Sequence, residues 1–272
     1  MFGWLSKNAL PDADSIDRLF EVYSWLLENT GGFEAFSGQH LVLPTDEFFP
    51  IEPGLEGHDL ARALFELTRE WSGLAGWPCR LVAHSEGPSL RDLLGNVPFT
   101  EDERKGAAGT FSVARRRDVE LTYAPSSLDD PATFVATMAH ELSHYLMATF
   151  PSAPPGGEDA VEPVTDVCAV FLGFGVFMCN AAFSFRQFSD GMMQGWSTSR
   201  HGYLDEKMLA YALAVFMVLR GAHPGSVARH LKPNPRSYMK HAFRDVNRRY
   251  SERIAKLREV RTAGSQPVES DR

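Results

Sequence analysis

The sequence predicts an α+β fold that is mainly helical, with a small sheet in the N-terminal part and a helical C-terminal half. Three observations predict this class. Apolar residues recur at helical spacing in several long segments, two short segments are typical of strands, and residues 167–185 form an apolar run without a charge. With 272 residues, the chain can bury a substantial core as one large domain or two closely packed lobes.

The N-terminal part, up to about residue 130, combines helices and strands. Residues 15–28 and 58–73 carry apolar residues at helical spacing, and Gly31 and Gly32 end the first of these helices. Residues 79–83 and 117–125 predict strands, the second because polar and apolar residues alternate along it.

Helices that begin near Pro131, Pro163 and Leu204 form the predicted core of the chain, over about residues 131–220. Asp130 is the expected N-cap of the first helix, because its carboxylate can accept hydrogen bonds from the first backbone N–H groups. Proline is well tolerated in the first turn of a helix, which agrees with both proline positions.

The first core helix contains an H-E-x-x-H motif formed by His140, Glu141 and His144. Residues four apart lie on one face of a helix, so the two imidazoles can bind one zinc ion with Glu141 beside them. The alternative is two ordinary histidines in a buried helix. A zinc site that performs chemistry usually has three protein ligands and leaves one position for water, so a third ligand is expected downstream.

Glu162 is the predicted third ligand, because it stands at the start of the next helix. Asp166 follows one turn later on the same face, where it can accept the free N–H of a metal-bound histidine. Glu158 and Asp159 are the alternative ligands, but a glycine-rich approach presents them less rigidly. If Glu158 and Asp159 bind no metal, they are solvent-exposed acids at a helix start, where negative charge complements the helix dipole.

This segment resembles the gluzincin class of zinc metallopeptidases, in which H-E-x-x-H is followed by a helix that carries E-x-x-x-D. The resemblance implies a zincin-like domain with one zinc ion per chain, bound by His140, His144 and Glu162. It further implies that Asp166 steadies a histidine and that Glu141 activates a zinc-bound water to attack a peptide carbonyl. The longer pattern, in which residues 167–175 follow Glu162 and Asp166, is also similar to uncharacterised bacterial H-E-x-x-H proteins.

Residues 195–203 are the best source of a group that stabilises an oxyanion. The segment is rich in hydrogen-bond donors, contains glycines and lies between two predicted helices, as an active-site loop would. His201 and Tyr203 resemble the catalytic His or Tyr of gluzincins in residue type, and we expect them to be catalytic. The alternative is a surface loop with a packed tyrosine.

A peptide or protein substrate is expected from the same resemblance. In gluzincins an edge strand before the zinc helix often pairs with an extended substrate. By analogy, residues 117–125 would bind a peptide through main-chain hydrogen bonds if this strand is an edge.

Two other functions fit the sequence. One is a non-proteolytic zinc-binding domain with a structural or partner-binding role. The other is a membrane-associated metalloprotease, because residues 167–185 approach the length that spans a bilayer. Asn180 and Ser184 interrupt this run, which begins beside the proposed ligand helix, so we expect a buried core helix and no membrane contact.

Cysteine usage and the N-terminus predict a cytoplasmic location. Three cysteines give no disulfide framework, and the first residues lack the pattern of a secretory signal.

The C-terminal segment differs in charge from the rest of the chain. Residues 229–261 contain eleven Lys or Arg and three Asp or Glu, whereas the whole chain has a net charge of −8. An amphipathic helix over about 235–262, the last part of a domain covering 1–262, would have a basic outer face. That face predicts either packing on the chain's own acidic body or an acidic partner, and nucleic acid is not expected. Residues 263–272 are polar and expected to be disordered.

Overall fold

The computed structural model describes residues 10–83, 109–113, 119–182 and 204–262, with the backbone alone for 109–113. The described residues form a mostly helical fold with one small sheet, which confirms the predicted α+β class.

Between residues 10 and 78, three helices precede the sheet: α1 (Ala13–Asn29), α2 (Gly32–Phe36) and α3 (Gly57–Trp71). The Asp12 side chain caps α1 by accepting a hydrogen bond from the Ser15 N–H. The helices predicted at 15–28 and 58–73 are therefore confirmed within two residues at each end, whereas α2 was not predicted.

The sheet consists of β1 (Cys79–Ala83), β2 (Gly109–Val113) and β3 (Val119–Tyr123), in the order β1-β3-β2. β3 pairs in parallel with β1 and antiparallel with β2. Both hydrogen-bonding edges of β3 are thus occupied by neighbouring strands. Because β3 is a central strand, the expectation that an extended peptide pairs with residues 117–125 is wrong. The pairing with β2 could not be recognised from the sequence.

Helix α4 (Pro131–Met147) carries the H-E-x-x-H motif and follows a 3-10 turn at Pro125–Asp129. The carboxylate of Asp130 accepts hydrogen bonds from the N–H groups of Ala132 and Thr133, as expected of the N-cap. Most of its residues are buried, so α4 is a core helix.

The next helical segment starts with a 3-10 turn at Glu158–Ala160 and continues as α5 (Val161–Ala169). A π-helical turn at Val170–Phe174 follows, and then helix over residues 175–182. Within the turn, Gly173 has a φ of +98°, a left-handed value that favours glycine.

This segment, Glu158–Ala182, has the length and composition to cross a membrane, with a mean hydropathy of 1.7 in its most apolar window. In the fold, however, 94% of that window is buried inside the protein. The central helix of a globular domain has the same properties.

Four helices complete the described chain: α6 (Glu206–Arg220), α7 (Pro224–Ala228), α8 (Pro233–Arg249) and α9 (Ser251–Glu259). The helix predicted over 235–262 is therefore divided at Tyr250, where φ is −122° and ψ is 19°. The Tyr250 ring stacks on Phe20 of α1 with 5.4 Å between centroids, so the break coincides with an anchored aromatic side chain.

Helix α6 lies in the middle of the hydrophobic core and is linked to its neighbours by buried hydrogen bonds. The Tyr23 hydroxyl of α1 donates to the Ala212 carbonyl at 2.8 Å, and the Tyr211 hydroxyl donates to Asp245 of α8 at 2.9 Å. Core side chains come from both the N-terminal and the C-terminal helices. The core therefore joins both parts of the chain.

Besides the stacking of Tyr250 on Phe20, an ion pair joins the basic C-terminal helices to the acidic N-terminal helix. Arg253 forms an ion pair with Asp17 of α1 at 2.7 Å, in line with packing on the chain's own acidic body. Lys240, Arg244 and Arg248 are exposed, and an acidic partner for this face stays a prediction.

Candidate metal centre

Helix α4 places His140, Glu141 and His144 together, as the helical repeat requires. The His140 side chain is 4% exposed and that of His144 is 19% exposed. Glu141 is buried with them. The two imidazole Nε2 atoms lie 3.1 Å apart, so both rings direct the same nitrogen to one point.

Helix α5 packs beside α4 and brings the carboxylate of Glu162 to the same point. Its Oε2 lies 3.3 Å from His140 Nε2 and 3.5 Å from His144 Nε2. The three side chains could therefore hold one metal ion.

The distances among these three atoms match the requirements of zinc. Two donors bound tetrahedrally at about 2.0–2.1 Å from one zinc ion lie about 3.3–3.4 Å apart. The observed separations of 3.1, 3.3 and 3.5 Å fall around this value without any movement of the side chains. The residues fit a metal with three protein ligands.

Asp166 lies directly behind His140. Its Oδ1 is 2.9 Å from His140 Nδ1, and its Oδ2 accepts a hydrogen bond from the Leu204 N–H at 2.8 Å. Both carboxylate oxygens are thus paired, although the residue is almost completely buried. A histidine that donates a hydrogen bond from its Nδ1–H presents the Nε2 lone pair to a metal.

Thr165 lies behind His144, a contact that sequence reasoning missed. Its Oγ1 is 3.3 Å from His144 Nδ1 and 2.8 Å from the Val161 carbonyl oxygen. The available signal was a polar residue, next to Asp166, at the start of an apolar run. Which way that side chain points depends on the rotation of α5 against α4, which the sequence does not contain.

Glu141 differs from the other acids of the site because its carboxylate makes no hydrogen bond in the part of the chain that the structure describes. Burial raises its pKa, and the repulsion of Glu162 acts in the same direction, against the attraction of the two histidines. The carboxyl group of Glu141 therefore keeps its proton to a higher pH than an exposed glutamic acid does.

The pKa values of two other groups show that this pocket stabilises positive charge. Burial alone would lower the pKa of His140, but hydrogen bonds to Asp166 and Glu162 overcome it and raise that pKa to about 10. Hydrogen bonds to both histidines hold the pKa of Glu162 well below its ordinary value. An excess of negative charge around two neutral imidazoles favours a cation.

Glu158 and Asp159, the alternative third ligands, are exposed residues of the 3-10 turn before α5. Of the described acids, only Glu162 lies with both histidines in a group that could hold a metal. Rigid presentation by α5 accounts for this difference.

His201 and Tyr203, predicted to be catalytic, lie outside the described residues. The expected disorder of 263–272 also concerns residues outside them. The described chain resumes at Leu204, whose N–H is bonded to Asp166.

Comparisons of the chain with protein-family models, with curated proteins and with solved structures gave no match. Its function is therefore inferred from its own residues and their geometry.

Proposed function

We propose that the protein is a zinc-dependent hydrolase that cleaves peptide bonds, a metallopeptidase of the gluzincin type. One observation carries the proposal: the Nε2 atoms of His140 and His144 and the Oε2 of Glu162 converge at the distances of a tetrahedral site. The buried carboxyl group of Glu141 belongs to the same cluster. Three protein ligands leave one position for water or substrate, as catalytic zinc sites do.

Each remaining step belongs to a side chain of the protein. Zinc, when bound, supplies a Lewis acid that lowers the pKa of water to about 7 and polarises a substrate carbonyl. Glu141 takes a proton from the attacking water and delivers it to the nitrogen of the leaving amine. Asp166 holds the His140 ring in place by accepting a hydrogen bond from its Nδ1–H. His201 and Tyr203 are proposed to donate to the oxyanion.

The same ligand set, two histidines and one carboxylate, is also typical of non-haem iron. A hydrolytic role accounts for Glu141 as well, since hydrolysis requires a base beside the metal. We therefore propose zinc as the metal.

Two features favour a catalytic site over a structural one. Structural zinc sites are normally closed by four protein ligands, whereas three side chains meet in the described site. The Glu162 side chain is 43% exposed, which keeps one side of the cluster open to solvent. A membrane-embedded protease is less consistent with an apolar segment that is 94% buried within its own protein.

Metal analysis tests the site. We expect about one zinc ion per chain in the purified protein by mass spectrometry, and loss of zinc in His144→Ala and Glu162→Ala. Glu158→Ala is the matched control and should keep the metal. Iron in place of zinc would overturn the hydrolase, and zinc retained by Glu162→Ala would remove the proposed third ligand.

Glu141→Gln tests the chemistry. We expect this variant to keep its zinc and its fold but to cleave a peptide library about 10²–10⁴ times more slowly, because the base is lost. Glu158→Gln controls for the substitution type. A native protein that is loaded with zinc and cleaves no peptide would leave a non-proteolytic zinc domain as the better description.

A further inference from the structure

The two histidines of the centre have different partners on the same helix. His140 Nδ1 lies 2.9 Å from a carboxylate oxygen of Asp166, whereas His144 Nδ1 lies 3.3 Å from the hydroxyl oxygen of Thr165. Thr165 and Asp166 are neighbours in sequence, one turn after Glu162. One side of α5 thus provides the proposed ligand Glu162 and also the two side chains that contact the Nδ1 atoms of the histidines.

The hydroxyl of Thr165 has one proton, and its second contact shows where that proton goes. Thr165 Oγ1 lies 2.8 Å from the Val161 carbonyl oxygen, which can only accept a hydrogen bond. The hydroxyl must therefore donate to Val161, and towards His144 it offers only a lone pair. An acceptor at this position requires a proton on His144 Nδ1, which leaves the Nε2 lone pair for a metal.

The surroundings of Thr165 make this arrangement rigid. Its side chain is completely buried, and β-branched residues in helices have few rotamers. The Thr165 hydroxyl is therefore shielded from water. Removing the hydroxyl would leave a partly buried N–H without an acceptor among the described residues.

We propose that Thr165 is a positioning residue of the metal centre: it fixes the tautomer and the ring orientation of His144 by accepting a hydrogen bond from the Nδ1–H. The inference rests on the proposed metal site. Its role parallels that of Asp166 towards His140, but with a neutral acceptor. In the proposed centre, the Nδ1 of one histidine is thus hydrogen-bonded to a carboxylate and that of the other to a neutral hydroxyl.

The test compares zinc affinities measured by competition with a chromophoric chelator. Thr165→Val keeps the shape of the side chain and removes the acceptor, and we expect zinc to bind about 10–100 times more weakly. Thr165→Ser restores the hydroxyl and should restore affinity. Thr68→Val is the matched control. Thr68 is also completely buried and donates a hydrogen bond to the carbonyl four residues before it, but it lies in α3, which contributes no ligand to the proposed site.

A second readout follows the histidine itself. In zinc-loaded protein labelled with ¹⁵N, the His144 Nδ1–H should give an imidazole signal protected from exchange, and Thr165→Val should abolish that protection. Unchanged zinc affinity and unchanged protection in Thr165→Val would overturn the inference. A wild-type protein that binds no zinc would instead overturn the proposed function, so the two failures are distinguishable.

Discussion

Asp166 is an almost completely buried carboxylate whose two oxygens serve different parts of the chain. One lies beside the Nδ1 of His140, and the other accepts the N–H of Leu204 just before α6. A carboxylate in this position is tolerated because both oxygens have partners. The residue therefore links the orientation of a proposed ligand to the start of the central helix.

Replacing Asp166 by Asn should weaken metal binding and stability together. An amide can accept only through its oxygen, so either the His140 contact or the Leu204 contact is lost. We expect zinc affinity to fall about 10–100-fold. The free energy of unfolding should fall by about 1–3 kcal/mol. Chelator competition and urea denaturation measure the two effects.

Asp245→Asn is the matched control for this substitution. Asp245 is also buried and accepts a hydrogen bond from the Tyr211 hydroxyl, but it lies in α8, outside the centre. It should lose stability and keep its zinc affinity. Equal zinc affinities in the two variants would contradict a positioning role for Asp166.

At this scale, spacing made part of the site predictable. His140 and His144 meet because they are one helical turn apart, and the same holds for Glu162 and Asp166 on α5. The meeting of α4 with α5 could be inferred only from the resemblance. The contact between Thr165 and His144 depends on the relative rotation of those helices, which the sequence does not specify.

At the scale of elements, the π-helical turn in the middle of the long apolar segment depends on one glycine. Gly173 O accepts a hydrogen bond from the Val42 N–H, and the Gln39 side chain donates to the Leu172 carbonyl. Backbone carbonyls that the irregular turn frees are thus paired by the N-terminal part of the chain. Close approach of the segment 39–42 is possible because residue 173 has no Cβ.

Gly173→Ala should therefore destabilise the protein strongly. A Cβ at this position would collide with the His40 carbonyl oxygen, and the residue would keep an unfavourable positive φ. We expect a loss of about 3 kcal/mol or more in the free energy of unfolding.

Gly221→Ala separates these two causes. Gly221 also has a positive φ, but a Cβ there meets nothing within 4 Å. Its cost should be about 1–2 kcal/mol, from the backbone alone. Similar losses in both variants, measured by urea denaturation, would show that the close approach at Gly173 is unimportant.

Element types were predictable where the periodicity was strong, as in α1, α3 and α4. The place of β3 in the sheet was not, because whether a strand is central or at an edge depends on partners elsewhere in the chain. β2 was not predicted, and its pairing with β3 makes β3 the central strand of the sheet. The division of the basic helix at Tyr250 likewise coincides with a contact to Phe20, which is remote in sequence.

At the scale of the whole molecule, the proposed metal ties two core helices together. His140 and His144 belong to α4 and Glu162 belongs to α5, so one ion would join elements separated by the loop around 148–157. Both helices also contribute to the hydrophobic core. Metal binding and folding are therefore expected to be coupled.

Removing the metal should lower the melting temperature reversibly. A ligand present at about a hundredfold excess over its Kd stabilises the native state by about 2.7 kcal/mol. For a chain of this size, its loss corresponds to about 5–10 °C in Tm. Calorimetry with and without chelator measures the shift, and added zinc should reverse it. In Glu162→Ala the chelator should have little effect, and an equal shift there would argue against this site.

The three free cysteines should differ in reactivity. Burial raises the pKa of the Cys168 thiol to about 12 and that of Cys179 still further, whereas Cys79 is only partly buried. A thiol-specific reagent at pH 8 should modify at most Cys79 in the native protein and all three after denaturation. Fast modification of Cys168 in native protein would contradict the buried position of α5. Free thiols suit the reducing compartment that we propose as the location.

The exposure of the three proposed ligands rises in one direction, from His140 at 4% through His144 at 19% to Glu162 at 43%. We therefore expect an ion to enter and leave on the Glu162 side of the centre, where the ligands are most exposed. Detachment of the Glu162 carboxylate would open that side while both histidines could still hold the ion. The rate of metal exchange should therefore be more sensitive to substitution of Glu162 than to substitution of His140.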